Sequence, residues 1–193
     1  MQAYDPLDYG NLARSVVEAL LGGPREPLPP SVPFEGSGVY AVYYHGDFPG
    51  YRSLVKTRDA PPIYVGKAVP IGARKGRRRL SAGKELYQRL REHTESIEQA
   101  RNLELKDFTC RYLVVVPVWI TLAERFLVEH YQPVWNVAID GFGNHDPGAG
   151  RRAMKRPQWD ILHPGRLWAE KLVAKESFEQ VLERLREFLN RRS

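Results

Sequence analysis

Two short segments decide how this chain folds: Gly38-Val39-Tyr40-Ala41-Val42-Tyr43-Tyr44 and, further on, Ile63-Tyr64-Val65-Gly66-Lys67. Both are rich in β-branched and aromatic residues, so each reads as a strand. Between them, His45 to Pro62 holds Gly46, Asp47, Pro49, Gly50 and the pair Pro61-Pro62, which makes a long loop. The second strand therefore returns beside the first as a hairpin. Each strand carries a Tyr and a Gly flanking a Val, in mirror order: Gly38-Val39-Tyr40 and Tyr64-Val65-Gly66. Such pairing puts two phenolic hydroxyls at neighbouring strand ends. The glycines allow close approach of the strands there, or simply relieve a turn.

Downstream, Lys84 to Arg101 has Leu86, Leu90 and Ile97 at helical spacing among charged residues. On that helix Arg89 and His93 stand one turn apart and leave from one face, whereas Arg91 points about 160° away from His93. Phe108 to Ile120 reads as a strand region, and Tyr112 to Val116, apolar throughout, is expected to be buried on both faces. A helix follows from Leu122 to Tyr131, with Leu122, Phe126 and Leu127 inward, Thr121 as N-cap and Pro133 closing it. Glu124 sits on this helix. One carboxylate, one guanidinium, one imidazole and two phenols suit metal-assisted hydrolysis of a phosphodiester.

Outside this central stretch, Asn11 is the expected cap of a helix from Leu12 to Leu21, ended by Gly22-Gly23. Pro24 to Pro33 reads as an extended connector laid over the surface. Gly141 to Gly165 lacks periodicity, but Trp159 and Trp168 argue for order in and beyond it. Phe178 to Leu189 is an amphipathic helix through Phe178, Val181, Leu182, Leu185 and Leu189, opened by a Ser177/Gln180 capping box. It serves either as core packing or as an interface. The expected organisation is an N-terminal helix and connector over 1–35, a central domain over 36–140 and an extension over 141–193. The fold class is α+β: a small antiparallel sheet flanked by helices, with helical and loop extensions at both ends.

Charge is distributed unevenly. Lys67, Arg74, Lys75, Arg77, Arg78, Arg79 and Lys84 put seven positive charges, with no acid, into one segment of a chain whose net charge is +6. Arg151, Arg152, Lys155 and Arg156 make a second acid-free cluster. Clusters of this kind draw in polyanions by counterion release, and duplex nucleic acid is the obvious partner; a solvated basic loop is the plain alternative. Gly72, Gly76 and Gly83 favour a flexible arm over a helix in the first cluster. With 193 residues, 42% of them hydrophobic, the chain can bury a real core. The stretch Tyr112 to Ala123 is interrupted by Pro117 and is too short to span a bilayer, and MQAYDPLDYG lacks the pattern of a signal peptide. A lone Cys110 offers neither disulfide nor ligand cluster, and this points to a reducing cytoplasm.

The order Gly-Val-Tyr, Tyr-Val-Gly, basic helix, glutamate helix and Pro133-Val134-Trp135-Asn136 resembles the GIY-YIG nuclease superfamily over about residues 36–140. Leu122-Ala123-Glu124-Arg125-Phe126-Leu127 looks like its glutamate helix. Valine replaces isoleucine in both half-motifs, which leaves strand propensity intact. Within the superfamily the chain looks most like the type II restriction endonucleases, and among them those that cut the palindrome CCGCGG. His93 one turn after Arg89, the long insertion between the half-motifs, and the tail Gly143-Asn144-His145-Asp146-Pro147-Gly148 with Trp159-Asp160-Ile161-Leu162-His163-Pro164-Gly165-Arg166 carry that likeness.

The resemblance implies a catalytic set of Tyr40, Tyr64, Arg89, His93, Glu124 and Asn136. Glu124 would be the ligand of Mg²⁺ or Mn²⁺, Tyr40 the general base and His93 the acceptor of its proton. Arg89 would clamp the scissile phosphate, Tyr64 would bond phosphate or water, and Asn136 would orient Glu124 or the backbone. Lys67, Arg74, Lys75, Arg77, Arg78, Arg79, Arg151, Arg152, Lys155 and Arg156 are the residues expected to meet double-stranded DNA, some reading guanine and most meeting phosphates. A homodimer on the palindrome and a companion DNA methyltransferase are the implied partners, with no membrane involved. Rival readings are a structure-specific repair nuclease and an inactive DNA-binding module of the same fold. Glu104-Leu105-Lys106 fits half of a (D/E)xK nuclease motif, but no aspartate lies between Asp59 and Asp107 to complete it. His145, Asp146 and His163 are a remote candidate metal set in a proline-rich setting.

Overall fold

The computed structural model describes residues 7–55, 60–70, 83–146 and 154–192. In chain order come α1 (Tyr9–Gly22), β1 (Glu26–Pro27), β2 (Gly38–Tyr44), α2 (Arg52–Val55), β3 (Tyr64–Ala68) and α3 (Glu85–Gln99). They are followed by β4 (Phe108–Val114), α4 (Ile120–Tyr131), α5 (Val134–Val137), α6 (Gln158–Leu162), α7 (Leu167–Glu170) and α8 (Phe178–Asn190). Arg74, Lys75, Arg77, Arg78, Arg79, Arg151 and Arg152, with the arm read from Gly72 and Gly76, lie outside the described residues.

These strands form one antiparallel sheet in the order β1-β4-β2-β3. The hairpin read from the two half-motifs is present, with Tyr40 opposite Gly66 and Val42 opposite Tyr64. β2 is the central strand, and all seven of its residues are buried. Its alternation divides the core. Tyr40, Val42 and Tyr44 face one layer, with Leu86, Leu90 and Ile97 of α3, Trp135, Trp159 and Val181. Val39, Ala41 and Tyr43 face the other, with Val17 and Leu20 of α1 and Ile120, Ala123 and Leu127 of α4. The fold is therefore α+β, an antiparallel sheet between helices.

Several expectations change in detail. The strand buried on both faces is β2, not Tyr112–Val116, where Val114 and Val116 are exposed. The reason is register: Val114 already pairs with Gly38, the first residue of β2, so the chain beyond it has passed the end of the central strand. Strand β4 then stops, and Pro117–Trp119 makes a 3₁₀ turn into α4. That helix begins at Ile120, so Thr121 lies inside it and is not the cap; Leu122 is only half-buried, while Ile120, Ala123, Phe126 and Leu127 point inward. Asp8, whose side chain accepts from the amides of Gly10 and Asn11, caps α1 in place of Asn11. The proline-rich connector does more than cross the surface, since Glu26 and Pro27 pair with Cys110 and Thr109 at the sheet edge. The loop between the half-motifs includes a 3₁₀ turn, Pro49–Tyr51, and α2.

The C-terminal segment packs into the same core. Trp159 and Leu162 are fully buried, and α8 opens on the expected capping box and turns Val181, Leu185 and Leu189 inward. Cys110 is a buried free thiol whose pKa burial pushes up to about 12, the behaviour of a small apolar strand residue. Among the described residues no helix is long and apolar enough to cross a membrane.

Candidate active site

The hairpin and α3 bring the phenols, the imidazole and the guanidinium together because each lies on a rigid element whose other residues are core. On α3, Leu86, Leu90 and Ile97 anchor the stripe to which His93 also belongs, so the imidazole is carried under the sheet and fully buried. Its Nε2 lies 2.5 Å from the Tyr40 hydroxyl. The Tyr64 ring packs 6.2 Å from that of Tyr40 and 5.2 Å from His93, centre to centre.

Gly66 is what allows this. It stands opposite Tyr40 in the hairpin, and a Cβ there would lie 2.6 Å from Cζ of Tyr40 and collide with its hydroxyl oxygen. The phenol thus lies across the place where a side chain would be.

Arg89 closes the cluster from α3. Its Nη1 donates to Glu92 Oε2 at 2.6 Å and its Nη2 to the Gly143 carbonyl at 2.8 Å, and the Nε2 of His145 also contacts Nη1. The other arginines of this stretch lie elsewhere: Arg91 pairs with Glu95 on an exposed face and Arg101 pairs with Glu170. Glu124 reaches in from α4 on the other layer, where its carboxylate meets Lys67 Nζ at 2.6 Å. About a quarter of the Glu124 side chain remains exposed.

Asn136 does not touch Glu124. Its Oδ1 accepts from the Val65 amide and its Nδ2 donates to the Val65 carbonyl, both at 2.8 Å. This two-bond clamp fixes β3 between Tyr64 and Gly66, the backbone half of the role expected for it.

Electrostatics follow from burial. Tyr40 is held well above the usual phenol range by desolvation and by the neighbouring Tyr64, against the lowering pull of Arg89, with Glu124 raising it further. Tyr64 is also raised, chiefly by burial, with Arg89 opposing and Glu124 adding to it. His93 is pushed well below its usual value by desolvation and then by the positive charge of Arg89. At neutral pH the ground state is thus two neutral phenols and a neutral imidazole beside a guanidinium.

The loop after α5 contributes residues that the sequence reading did not place in the site. Phe142 stacks on His93, with ring centres 4.5 Å apart and planes 17° from parallel, and meets Tyr64 edge-on at 4.9 Å. Gly143 supplies the carbonyl for Arg89, and His145 and Glu92 touch the same guanidinium. The only sequence signal for this loop was the likeness of the tail beginning at Gly143. As a metal set, His145, Asp146 and His163 fail. His163 is fully buried between the Tyr51 hydroxyl and Asn102, its pKa lowered by burial to about 3, while His145 lies at Arg89. No group of three or more His, Cys, Asp or Glu able to hold a metal occurs among the described residues. Of the two residues in 154–192 expected to meet DNA, Lys155 is exposed, whereas the Arg156 guanidinium donates to the carbonyls of Ala169 and Glu170 at the end of α7.

No curated protein matches the chain. Among protein families, residues 32–189 match the Eco29kI GIY-YIG domain, so the match takes in the hairpin, the glutamate helix and the C-terminal segment packed under the hairpin. The chain belongs to this GIY-YIG family of restriction endonucleases.

Proposed function

We propose that this nuclease is a type II restriction endonuclease that hydrolyses double-stranded DNA at a short palindrome, CCGCGG by family likeness, leaving 5′-phosphate ends. The observation that carries the reading is the convergence of Tyr40, Tyr64, His93 and Arg89 on one side of the hairpin with Glu124 at its end.

Arg89 would bind the scissile phosphate and offset the charge that gathers on it in the transition state. Tyr40 is the general base. As water attacks phosphorus and the bond from phosphorus to the 3′-oxygen breaks, the water proton passes to the Tyr40 oxygen while the phenol proton moves to His93 Nε2, which the 2.5 Å contact permits, and the departing 3′-oxygen takes its proton from solvent. Burial keeps His93 unprotonated at neutral pH, which leaves its Nε2 lone pair available to the Tyr40 hydroxyl. Tyr64 would bond the same phosphate or the attacking water. Asn136 holds the Val65 backbone so that both half-motifs stay in register.

A single part-exposed carboxylate fits Mg²⁺ or Mn²⁺, which binds through few protein ligands together with phosphate oxygens and water. Glu124 is that carboxylate, and Lys67, also part-exposed, is free to exchange it for a DNA phosphate. When bound, the ion would neutralise phosphate charge and lower the pKa of its water. The palindrome implies a homodimer in which each subunit cuts one strand, and a companion methyltransferase protecting the host's own sites.

The test is digestion of a fully sequenced plasmid and of branched and linear duplexes, with Mg²⁺ or with EDTA. Discrete fragments bearing 5′-phosphates at a palindrome, only with Mg²⁺, support the reading. Selective cutting of branched substrates, or binding without cutting, overturns it. Glu124→Gln should bind duplex DNA and not cut; cutting at the parent rate would remove Glu124 from the metal site.

A further inference from the structure

The loop that flanks the phenols is held from behind by one buried arginine. Arg166 is 1% exposed, and its guanidinium uses every N–H it has. Nε and Nη2 each donate to a carboxylate oxygen of Asp160 at 2.6 Å. The remaining three N–H groups go to backbone carbonyls of a single segment: Gly141 at 2.9 Å, Phe142 at 3.1 Å and Asn144 at 3.0 Å. Trp159 and Trp168 lie against the guanidinium at 4.5 and 4.9 Å.

The opposite side of the same segment faces the reacting groups. Gly143, between two of the carbonyls that Arg166 holds, supplies the carbonyl for Arg89 Nη2, and Phe142 backs His93. There is no slack between loop and site, because a Cβ on Gly143 would lie 2.8 Å from the Tyr64 hydroxyl. A guanidinium has the planar fork needed to grip a carboxylate and three carbonyls at once, which an ammonium lacks. The positive charge of Arg166 is also felt at His93, where it adds to the lowering of that imidazole.

We propose that Arg166, fixed by Asp160, is a positioning residue for cleavage: by holding the backbone of 141–144 it sets the Gly143 carbonyl that aims Arg89 and the Phe142 ring that backs His93. The inference rests on the nuclease roles given above to Arg89 and His93. It adds a mechanical link from the C-terminal segment to the hairpin site.

The test is Arg166→Lys, which keeps the positive charge beside Asp160 but cannot make the three carbonyl bonds in the same plane. Should that variant not fold, the Asp160→Asn/Arg166→Gln double variant, which removes both buried charges together, takes its place. The first readout is the Arg89 side-chain N–H signal in a ¹⁵N NMR spectrum, assigned by its loss in Arg89→Lys. It should move to the position of solvent-exposed arginines in the folded variant. The second is a double-mutant cycle in cleavage: the variant should lose at least about tenfold in single-turnover rate, a scale typical of a misplaced catalytic group, with duplex affinity changed by less than about twofold. Adding Arg89→Ala to it should then cost far less than in the parent protein. An unmoved Arg89 signal, or simple additivity with Arg89→Ala, overturns the proposal. If the parent protein cuts no duplex at all, the nuclease reading falls, and the NMR signal alone still decides whether Arg166 positions Arg89.

Discussion

Tyr40 and His93, 53 residues apart in the chain, meet hydroxyl to imidazole at 2.5 Å in a place where neither is open to solvent. The contact joins the first half-motif to the basic helix, and it ties a phenol whose pKa is raised by burial to an imidazole whose pKa is lowered by burial. The opposed shifts keep both groups neutral at rest, so the bond joins a neutral phenol to a neutral imidazole.

Tyr40→Phe keeps the ring in the core and removes only the hydroxyl. Cleavage should fall by about 10²–10⁴-fold, the usual worth of a positioned acid–base group, while duplex binding stays within error. Single-turnover cleavage and a binding titration on the same oligonucleotide check both halves.

Gly66→Ala should damage the site more than its size suggests, since the new methyl meets the buried Tyr40 phenol at the sheet end. The ring must shift or the hairpin must open, at about 1–3 kcal/mol in stability, and displacing the Tyr40 hydroxyl should reduce the cleavage rate further. Gly22→Ala, at the end of α1 where no atom lies within 4 Å of the added carbon, is the control; it should leave cleavage unchanged and not lower stability. Urea unfolding and cleavage rates of the two variants decide it.

Asn136→Ala deletes both bonds to the Val65 backbone and leaves a strand amide and carbonyl without their partner. A loss of about 1–3 kcal/mol is expected from the unpaired groups. Amide exchange should quicken at Val65 and its hairpin neighbours before it quickens in α1, and exchange measured by NMR would show this order.

Stability should fall on the acid side of neutrality. His93 and His163 both have folded pKa values below the free value, so each binds a proton more readily in the unfolded chain. Their contribution is complete above about pH 6.5, the free histidine value, and is lost as pH falls from there. For His163 the loss continues down to about 3. Thermal unfolding between pH 7.5 and 4.5 should show the decline, and His163→Gln should flatten it although its starting Tm is lower.

Duplex affinity should drop steeply with salt, because the acid-free segments from Lys67 to Lys84 and from Arg151 to Lys155 offer phosphate-neutralising charge. Replacing Arg77, Arg78 and Arg79 with Gln should reduce the slope of log K against log salt by about 0.9 for each phosphate they neutralise. A slope unchanged from the parent would take those arginines off the DNA.

The hairpin, the helix carrying Arg89 and His93, the glutamate helix and the capped C-terminal helix were all legible in the chain. Each is announced by a pattern that lies within one element: alternation or apolar density for a strand, a three-to-four spacing for a helix, Ser177 and Gln180 for a cap. That Arg89 and His93 share a face while Arg91 points away was legible for the same reason, since four residues along a helix fix a shared face whatever surrounds it.

Partnerships between distant segments were not legible. Tyr112–Val116 carries the apolar content of a doubly buried strand, yet its exposure follows from where β4 runs out beside β2, which is a matter of register. Asn136 is an ordinary residue after a helix until folding sets it against Val65, 71 positions earlier. Arg166 looks like one more surface cation in a basic protein, and it becomes the hub of a buried network only when Asp160 and the carbonyls of Gly141, Phe142 and Asn144 surround it. Periodicity travels with the backbone and can be read locally, whereas a polar group's partner depends on which surfaces folding presses together, and burial then makes that partner obligatory.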